Sequence, residues 1–373
     1  MKILHPILCY YPSQAGGPAN TLYWLNNGLN KKFFETNIVS TNYGIAIDTE
    51  KIDYGNNQKV DFFESKGKNF IQFSLNAIIE TDIVQFSSLF FPPTLLLLFF
   101  AKLKNKTIII SPRGELYSAA ISQKSFKKRI WIEIIKFFQK DINFHATNDF
   151  EKGIIQKFFS KAKRIDVIPN YIQLPQKFDV ESKMKFVFVG RINPIKNIDI
   201  LIESFCSLKQ LKPELELELE IVGSARLNYE IEYLRNLKDQ IKKLSLEGSV
   251  KFMGHLDGDE KNKIIASSFA LVLPSKSENF GNVVLEALAQ GTPVIASKNT
   301  PWKILEDYNS GYWVEVNKEN LMESMNSIVN LNEIEYKKMR DNAFSLCKSN
   351  FNIQTNIHVW ENYYKSISTY VQK

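Results

Sequence analysis

The sequence predicts an α/β protein made of two doubly wound parallel-sheet domains in tandem. Three observations predict it. At 373 residues the chain exceeds the size at which a single hydrophobic core stops growing. Short apolar runs alternate with longer amphipathic ones, the pattern of βαβ units. The alternation breaks off near residue 173, in a polar stretch with Pro169 and Pro175, and then starts again.

In the first half, KILHPILC, FETNIVST, DIVQFSS, KTIIISP and INFHATN read as buried strands. TLYWLNNGLNKKF and SQKSFKKRIWIEIIKFFQ read as helices between them. RIDVIPNYIQLPQKFDVESKM reads as a linker. In the second half MKFVFVGR is a strand and NIDILIESFCSLKQL a helix with Asn197 as N-cap. LELELEIVG, SVKFMG, FALVLPS and TPVIAS follow as strands, separated by NYEIEYLRNLKDQIKKL, KNKIIASS and NVVLEALAQ as helices. The alternating Glu214, Glu216, Glu218 and Glu220 are expected on the exposed face of an edge strand or its approach. Residues 351–373 read as a final helix. The expected domains are 1–172, with helix 353–373 packing back on it, and 173–352.

Composition narrows the function classes. A hydrophobic content of 44% with 13% aromatics argues for globular cores and against disorder. Cys9, Cys206 and Cys347 include no CxxC and His5, His145, His255 and His358 have no ligand spacing, so neither a disulfide framework nor a zinc site is expected. That cysteine usage fits a reducing, cytoplasmic compartment. The start reads as a buried first strand, not a signal peptide, and the apolar run 95–101 is far below the ~20 residues of a spanning helix. The protein is expected to be soluble, or at most attached to a membrane surface.

Charge is uneven. Residues 1–170 hold 22 Lys and Arg against 14 Asp and Glu, so the net +7 comes from the first half. Much of it falls in KSFKKRIWIEIIKFFQK, where Ile130, Ile134, Ile135, Phe137 and Phe138 recur at helical spacing. Two readings stand: a core-facing helix with a solvated basic face, or a patch held against anionic lipid. Nucleic acid is a poorer third reading, since no RNA-binding or zinc-finger signature accompanies the charge.

In doubly wound sheets chemistry gathers in the loops after the strands, and two such sheets usually face one another across a cleft. In FVFVGRINPIKN, Gly190 and Arg191 follow a buried strand and Lys196 precedes a helix. A guanidinium fork and an ammonium there suit a diphosphate. In VLPSKSENFGNVVLEALAQGTPVIA, Gly281 lets a ligand approach the backbone where a helix opens at Asn282. Glu278 before it and Glu286 a turn inside the helix are carboxylates able to accept from sugar hydroxyls. In EIVGSAR, Gly223 ends a strand where a nucleobase or ribose fits. In SQAGGPA, Gly16 and Gly17 form either a ligand-facing loop or a plain structural turn.

Taken together, VGRINPIKNIDILIESF, FMGHL and LVLPSKSENFGNVVLEALAQGTPVIAS resemble the retaining glycosyltransferases of family 4, which have the GT-B fold. PSQAGGPA, IIISPRGEL, FHATNDFEKGII and VIPNYI are similar to a bacterial surface-polysaccharide branch. The resemblance implies that Glu278 and Glu286 are the E-x7-E pair, holding the donor sugar and the ribose. It implies that Arg191 and Lys196 neutralise the departing diphosphate. Glu278, Arg191 and Lys196 are thus the expected catalytic residues. Gly190, Gly223, Asn279, Phe280, Gly281, Asn282 and Glu286 join them in donor binding, with Gly16 and Gly17 from the first domain. It further implies transfer without a metal or other cofactor, from a UDP- or GDP-sugar, with the leaving phosphate taking the acceptor's proton. The expected acceptor is a lipid-linked glycan of an O-antigen or capsule, met at the inner face of the cell membrane.

The chain departs from the wider family where many relatives carry a first-domain histidine. Gln85 and Ser87 stand in one such string and Arg113-Gly114 in the other. Arg113 is therefore the candidate sugar contact, with His145 either a second contact or a satisfied strand-end histidine. Asp257-Gly258-Asp259 has the DxD spacing of metal-nucleotide sites, but reads more simply as a turn and helix start. The rival functions are a GT-B sugar-nucleotide epimerase or phosphorylase, and a nucleotide-sugar-binding subunit without activity. Few acid-base candidates, no marked pyridoxal-phosphate lysine and an intact Arg191, Lys196, Glu278 and Glu286 set count against them.

Overall fold

In this computed structural model the described residues are 1–13, 17–45, 54, 58–64, 68–122, 125–181 and 184–368. They divide into two compact units, Met1–Gln173 with Ile353–Lys373, and Leu174–Asn352.

The first unit begins with β1 (Lys2–Ile7), α1 (Gly17–Gly28), β2 (Glu35–Thr41) and β3 (Gln58–Phe63). It continues through α2 (Lys68–Ile79), β4 (Ile83–Phe86), α3 (Thr94–Leu103) and β5 (Thr107–Ile110). Then come α4 (Ser118–Ser122), α5 (Ser125–Phe138), β6 (Ile142–Ala146), α6 (Asp149–Phe158) and β7 (Arg164–Val167). The sheet is parallel throughout, in the order β3-β2-β1-β4-β5-β6-β7. Alternation along each strand supplies two cores. Leu4, Val39, Val84 and Ile108 pack on one face with α2, α3, α5 and α6 residues such as Ile78, Leu98, Ile135 and Ile155. Their neighbours Ile3, Ile38, Ile83 and Ile109 pack on the other with Leu22 and Leu25 of α1 and with Trp360, Tyr363 and Tyr364.

The second unit holds β8 (Lys185–Val189), α7 (Ile198–Leu211), β9 (Glu218–Val222), α8 (Asn228–Lys243) and β10 (Val250–Gly254). It continues with α9 (Gly258–Ala266), β11 (Ala270–Leu273), α10 (Asn282–Ala289), β12 (Val294–Ser297), α11 (Ile304–Asp307) and β13 (Gly311–Val314). It closes with α12 (Lys318–Val329) and α13 (Glu333–Leu346), after which α14 (Ile353–Ile367) belongs to the first unit. Its sheet is also parallel, in the order β10-β9-β8-β11-β12-β13.

Three expectations need correction. RIDV, taken as linker, is β7, pairing with β6 at the sheet edge. Its polar residues hid it: Arg164 Nε and Asp166 Oδ2 pair at 2.6 Å, as suits an edge. The glutamate-rich strand is not an edge, because β9 lies between β10 and β8. Its neighbours supply the compensating charge: Lys185 Nζ meets Glu220 at 2.8 Å and Lys251 Nζ meets Glu218 at 2.6 Å. In α5 the core takes Ile132 and Ile135, whereas Ile130, Ile134 and Phe137 are exposed. Among the described residues, no helix is long and apolar enough to cross a membrane.

Candidate functional site

A doubly wound sheet reverses its strand order at one point, and the loops leaving the two strands there diverge to leave room for a ligand. In the second unit that point lies between β8 and β11. The loop after β8 carries Gly190, Arg191 and Lys196, and the loop after β11 carries Glu278, Asn279, Phe280 and Gly281. The backbone joins the loops, Lys276 N–H donating to Ile195 O at 2.8 Å. Lys196 Nζ forms an ion pair with Glu278 Oε2. Arg191 is exposed beside them.

Gly281 has φ +80° and occupies the N-cap of α10, which opens at Asn282. A Cβ at Gly281 would stand 3.0 Å from Leu273 Cδ2, so the position suits glycine on both conformation and space. The N-cap carries no side-chain oxygen, Val284 N–H closes the first turn on Gly281 O at 2.9 Å, and the positive end of the helix faces this loop. Glu286 lies one turn inside α10, and Lys261 of α9 pairs with it at 2.9 Å. On the other flank Gly223 follows β9. A Cβ there would fall 1.8 Å from Gly190 O, so glycine is what lets the two strand ends close up. These contacts bring Arg191, Lys196, Glu278, Gly281, Gly190 and Gly223 to one end of one sheet.

The supporting residues were not singled out from the sequence. Asn193 accepts from Ile195 N–H at 3.0 Å and donates to Glu230 Oε1 at 2.9 Å, shaping the loop between Arg191 and Lys196. Burial alone would raise the Glu230 carboxyl pKa. The N–H groups of Arg226 and Leu227, the Asn193 amide and the charge of Arg191 outweigh it and hold the pKa below the usual value. A glutamate three residues into a helix was the readable signal for Glu230. Trp302 is nearly fully buried, donates to Phe280 O through Nε1 and meets the Phe280 ring edge-on at 5.1 Å. Phe351 packs behind it at 5.4 Å. Lys261 carried no sequence signal, being one of two lysines on α9. Asn197 sits at the N-cap of α7 by its left-handed φ of 54°, without a side-chain cap bond. Asp257 occupies the N-cap of α9 and Asp259 its first turn. Among the described residues no group of three His, Cys, Asp or Glu gathers as a metal ion would need.

In the first unit, Gly16 lies outside the described residues, and Gly17 opens α1. Arg113 has φ +51°, and its Nη1 donates to Asn170 Oδ1 at 3.3 Å. Burial lowers its pKa. Glu151, itself buried, fixes this turn by accepting from Gly114 N–H at 2.6 Å and Thr147 N–H at 2.8 Å. His145 is buried with both ring nitrogens engaged, Nε2 to Ile168 O at 2.8 Å and Nδ1 to Ser111 Oγ at 2.9 Å, and it rests on Trp360. The carbonyl requires Nε2 to donate, so Nδ1 accepts. His145 is thereby a packed, neutral histidine with no nitrogen left for a sugar.

Burial first, and the Arg113 charge second, push His5 and His145 down to about 3. In the unfolded chain they titrate near 6.5. Below that value the unfolded state binds protons that the folded state refuses, so stability falls as pH drops from about 6.5 towards 3. Each histidine contributes a slope of up to ~1.4 kcal/mol per pH unit. Denaturant melts between pH 8 and 4 are expected to show this fall. His145→Gln should flatten it, and an unchanged slope in the variant would show that His145 is not a source.

Residues 172–345 match the model of the family described as Glycosyl transferases group 1, just under half of the chain. Mannosylfructose-phosphate synthase of Agrobacterium fabrum is 29% identical over 187 residues, covering 46% of this chain and 41% of that protein. The chain spans less than half the length of the curated relatives it matches first. Two solved structures align over nearly everything. Anabaena HepE, in complex with UDP and glucose, superposes with a TM-score of 0.79 at 18% identity, covering 98% of this chain and 100% of that one. Sucrose-phosphate synthase from Thermosynechococcus elongatus gives 0.77 at 16% identity, covering 98% and 99%. The fold is accordingly that of GT-B glycosyltransferase structures, two Rossmann-like α/β domains with parallel sheets.

Proposed function

We propose that this protein is a retaining glycosyltransferase that moves a sugar from a nucleotide-diphosphate donor to a lipid-linked glycan. The observation that carries the reading is the cation–carboxylate set Arg191, Lys196 and Glu278 at the strand-order reversal of the second sheet, beside the glycine-capped start of α10. Arg191, Lys196 and the positive end of the α10 dipole take the diphosphate, supplying from the protein the positive charge that leaving-group departure needs. The reading accordingly includes no metal. Glu278 accepts from hydroxyls of the donor sugar, Glu286 from those of the ribose, and Gly190 and Gly223 admit the nucleoside to the backbone. Asn279, Phe280 and Asn282 complete the loop. The anomeric C–O bond to the phosphate breaks, the acceptor oxygen bonds to the same carbon, and its proton passes to the departing diphosphate. UDP is favoured over GDP because HepE, of the same fold, is described with UDP and glucose.

In this reading the first unit takes the acceptor, and Arg113 is the candidate sugar contact, in the turn that Glu151 fixes through Gly114 N–H. The acceptor is a bacterial surface glycan such as an O-antigen or capsule repeat, and the enzyme works peripherally at the cytoplasmic face of the membrane.

Thermal melting against UDP, GDP, ADP, CMP and dTDP, without and then with magnesium, tests the donor site. A diphosphate at a hundred times its Kd should stabilise by ~2.7 kcal/mol. A shift with one diphosphate and no magnesium is the expected result. A shift that appears only with magnesium would overturn the metal-free reading, and none with any nucleotide or nucleotide sugar would overturn the donor site.

A further inference from the structure

Helix α5 has two apolar faces. Ile132 and Ile135 enter the core of the first unit. On the opposite side Phe126, Ile130, Ile134 and Phe137 recur at intervals of four, four and three residues, a single stripe at 3.6 residues per turn, and all four are exposed. Phe126 is 75% and Phe137 86% exposed. The neighbouring α3 repeats the arrangement: Leu97, Leu98 and Ala101 are buried, while Leu96, Phe99 and Leu103 are exposed at intervals of three and four. Phe99 meets Phe138 at 6.4 Å, which makes the two helices neighbours. Seven large apolar side chains are thus exposed on two adjacent helices, a concentration of a kind that marks an interaction site.

The charge around the stripes says what covers them. Lys102 of α3 and Lys127, Lys128, Arg129 and Lys136 of α5 face a single carboxylate on these two helices, Glu133. Glu133 is already paired with Lys136 at 2.6 Å. Asp141, just beyond α5, is paired with Lys102 at 2.5 Å. Lys127 and Arg129 are exposed on either side of the α5 stripe, and Lys104 and Lys140 are exposed at the helix ends. An apolar stripe edged by long cationic side chains is the composition of a helix lying in an anionic lipid interface.

We propose that the exposed faces of α3 and α5 form a docking surface that enters an anionic lipid bilayer, Phe126, Ile130, Ile134 and Phe137 inserting at the headgroup boundary. This deepens the reading of a peripherally attached enzyme by naming the surface. The wild-type protein is sedimented with vesicles of phosphatidylcholine alone and of phosphatidylcholine with phosphatidylglycerol, at low and high salt, beside Phe126→Ser/Phe137→Ser and Lys127→Glu/Arg129→Glu variants. The wild type should bind the phosphatidylglycerol vesicles preferentially. Withdrawing two rings should lower its partition coefficient by about a hundredfold, and that loss should persist at high salt. The charge-reversal variant should lose binding chiefly at low salt. All four side chains are exposed, so melting temperatures should stay within a few degrees. Unchanged partitioning of the Phe126/Phe137 variant would overturn insertion. So would a wild type that ignores vesicles but forms a dimer that the same variant dissolves, since the occupant would then be a second copy. Vesicle binding needs no donor or turnover, so failure here leaves the sugar-transfer reading standing, and failure of that reading leaves this result legible.

Discussion

Lys196→Ala is expected to lower kcat/KM for sugar transfer by about 10²–10³-fold, the loss seen when one preorganised electrostatic contact to developing charge is removed. The argument rests on position. Lys196 follows β8 at the strand-order reversal of the second sheet and holds Glu278 from the neighbouring loop. In the proposed reading one ammonium both positions a carboxylate and supplies charge to a leaving diphosphate. The pair is partly exposed, so Glu278 keeps access to water in the variant and the melting temperature should fall by only a few degrees. Glu278→Gln keeps the shape and removes the acceptor charge. Its kcat should fall while the stabilisation by nucleotide diphosphate alone persists, because Glu278 is assigned to the sugar. Transfer at the wild-type rate by either variant would remove that residue from the mechanism.

Deleting Ile353–Lys373 is the change with the largest expected effect on stability. Ile353, Trp360, Tyr363, Tyr364 and Ile367 of α14 are all buried against the α1 side of the first sheet, and Tyr364 also donates to buried Gln85 at 2.7 Å. Side chains of this kind contribute ~1.5–3 kcal/mol each on burial, so their joint loss is comparable with the whole stability of a domain, about 5–15 kcal/mol. Limited proteolysis of the shortened chain should digest the first unit rapidly and leave a resistant fragment from the second, whose Leu174–Asn352 is continuous. A protected first unit in the truncated chain would show that α14 adds little.

The parallel, doubly wound character of both sheets was legible because buried parallel strands such as KFVFV and ALVL are short, almost wholly apolar and spaced by helices. The edge strands of the first sheet were not. β3 and β7 carry Lys59, Asp61, Arg164 and Asp166, and no period marks them as sheet. The amphipathicity of α5 was legible, but a period cannot say which of two apolar faces meets the core. At the candidate site, residues in loops after apolar strands stood out, because strand position alone brings them to one end of the sheet. Lys261, Asn193 and Trp302 did not, since each acts through a partner distant in sequence: Glu286, Glu230 and the Phe280 carbonyl. His145 could be read as a site histidine or as a satisfied strand-end one, and it is the packed one. The difference lies in Ser111 and Ile168, which occupy its nitrogens and which no local pattern connects to it.

The first unit is interrupted by the whole of the second, and this sets an order of events on the ribosome. By the time β7 emerges, every strand of the first sheet exists, yet the face awaiting Trp360 and Tyr364 is covered by α1 alone. The intervening Leu174–Asn352 takes about ten to forty seconds to synthesise at ordinary elongation rates. For that interval Ile3, Ile38 and Ile83 belong to a half-covered apolar surface on a nascent chain, while the second unit, continuous and self-sufficient in core, can complete itself first. The N-terminal part of this protein is therefore the last to be finished, and the step that finishes it is the arrival of a single C-terminal helix.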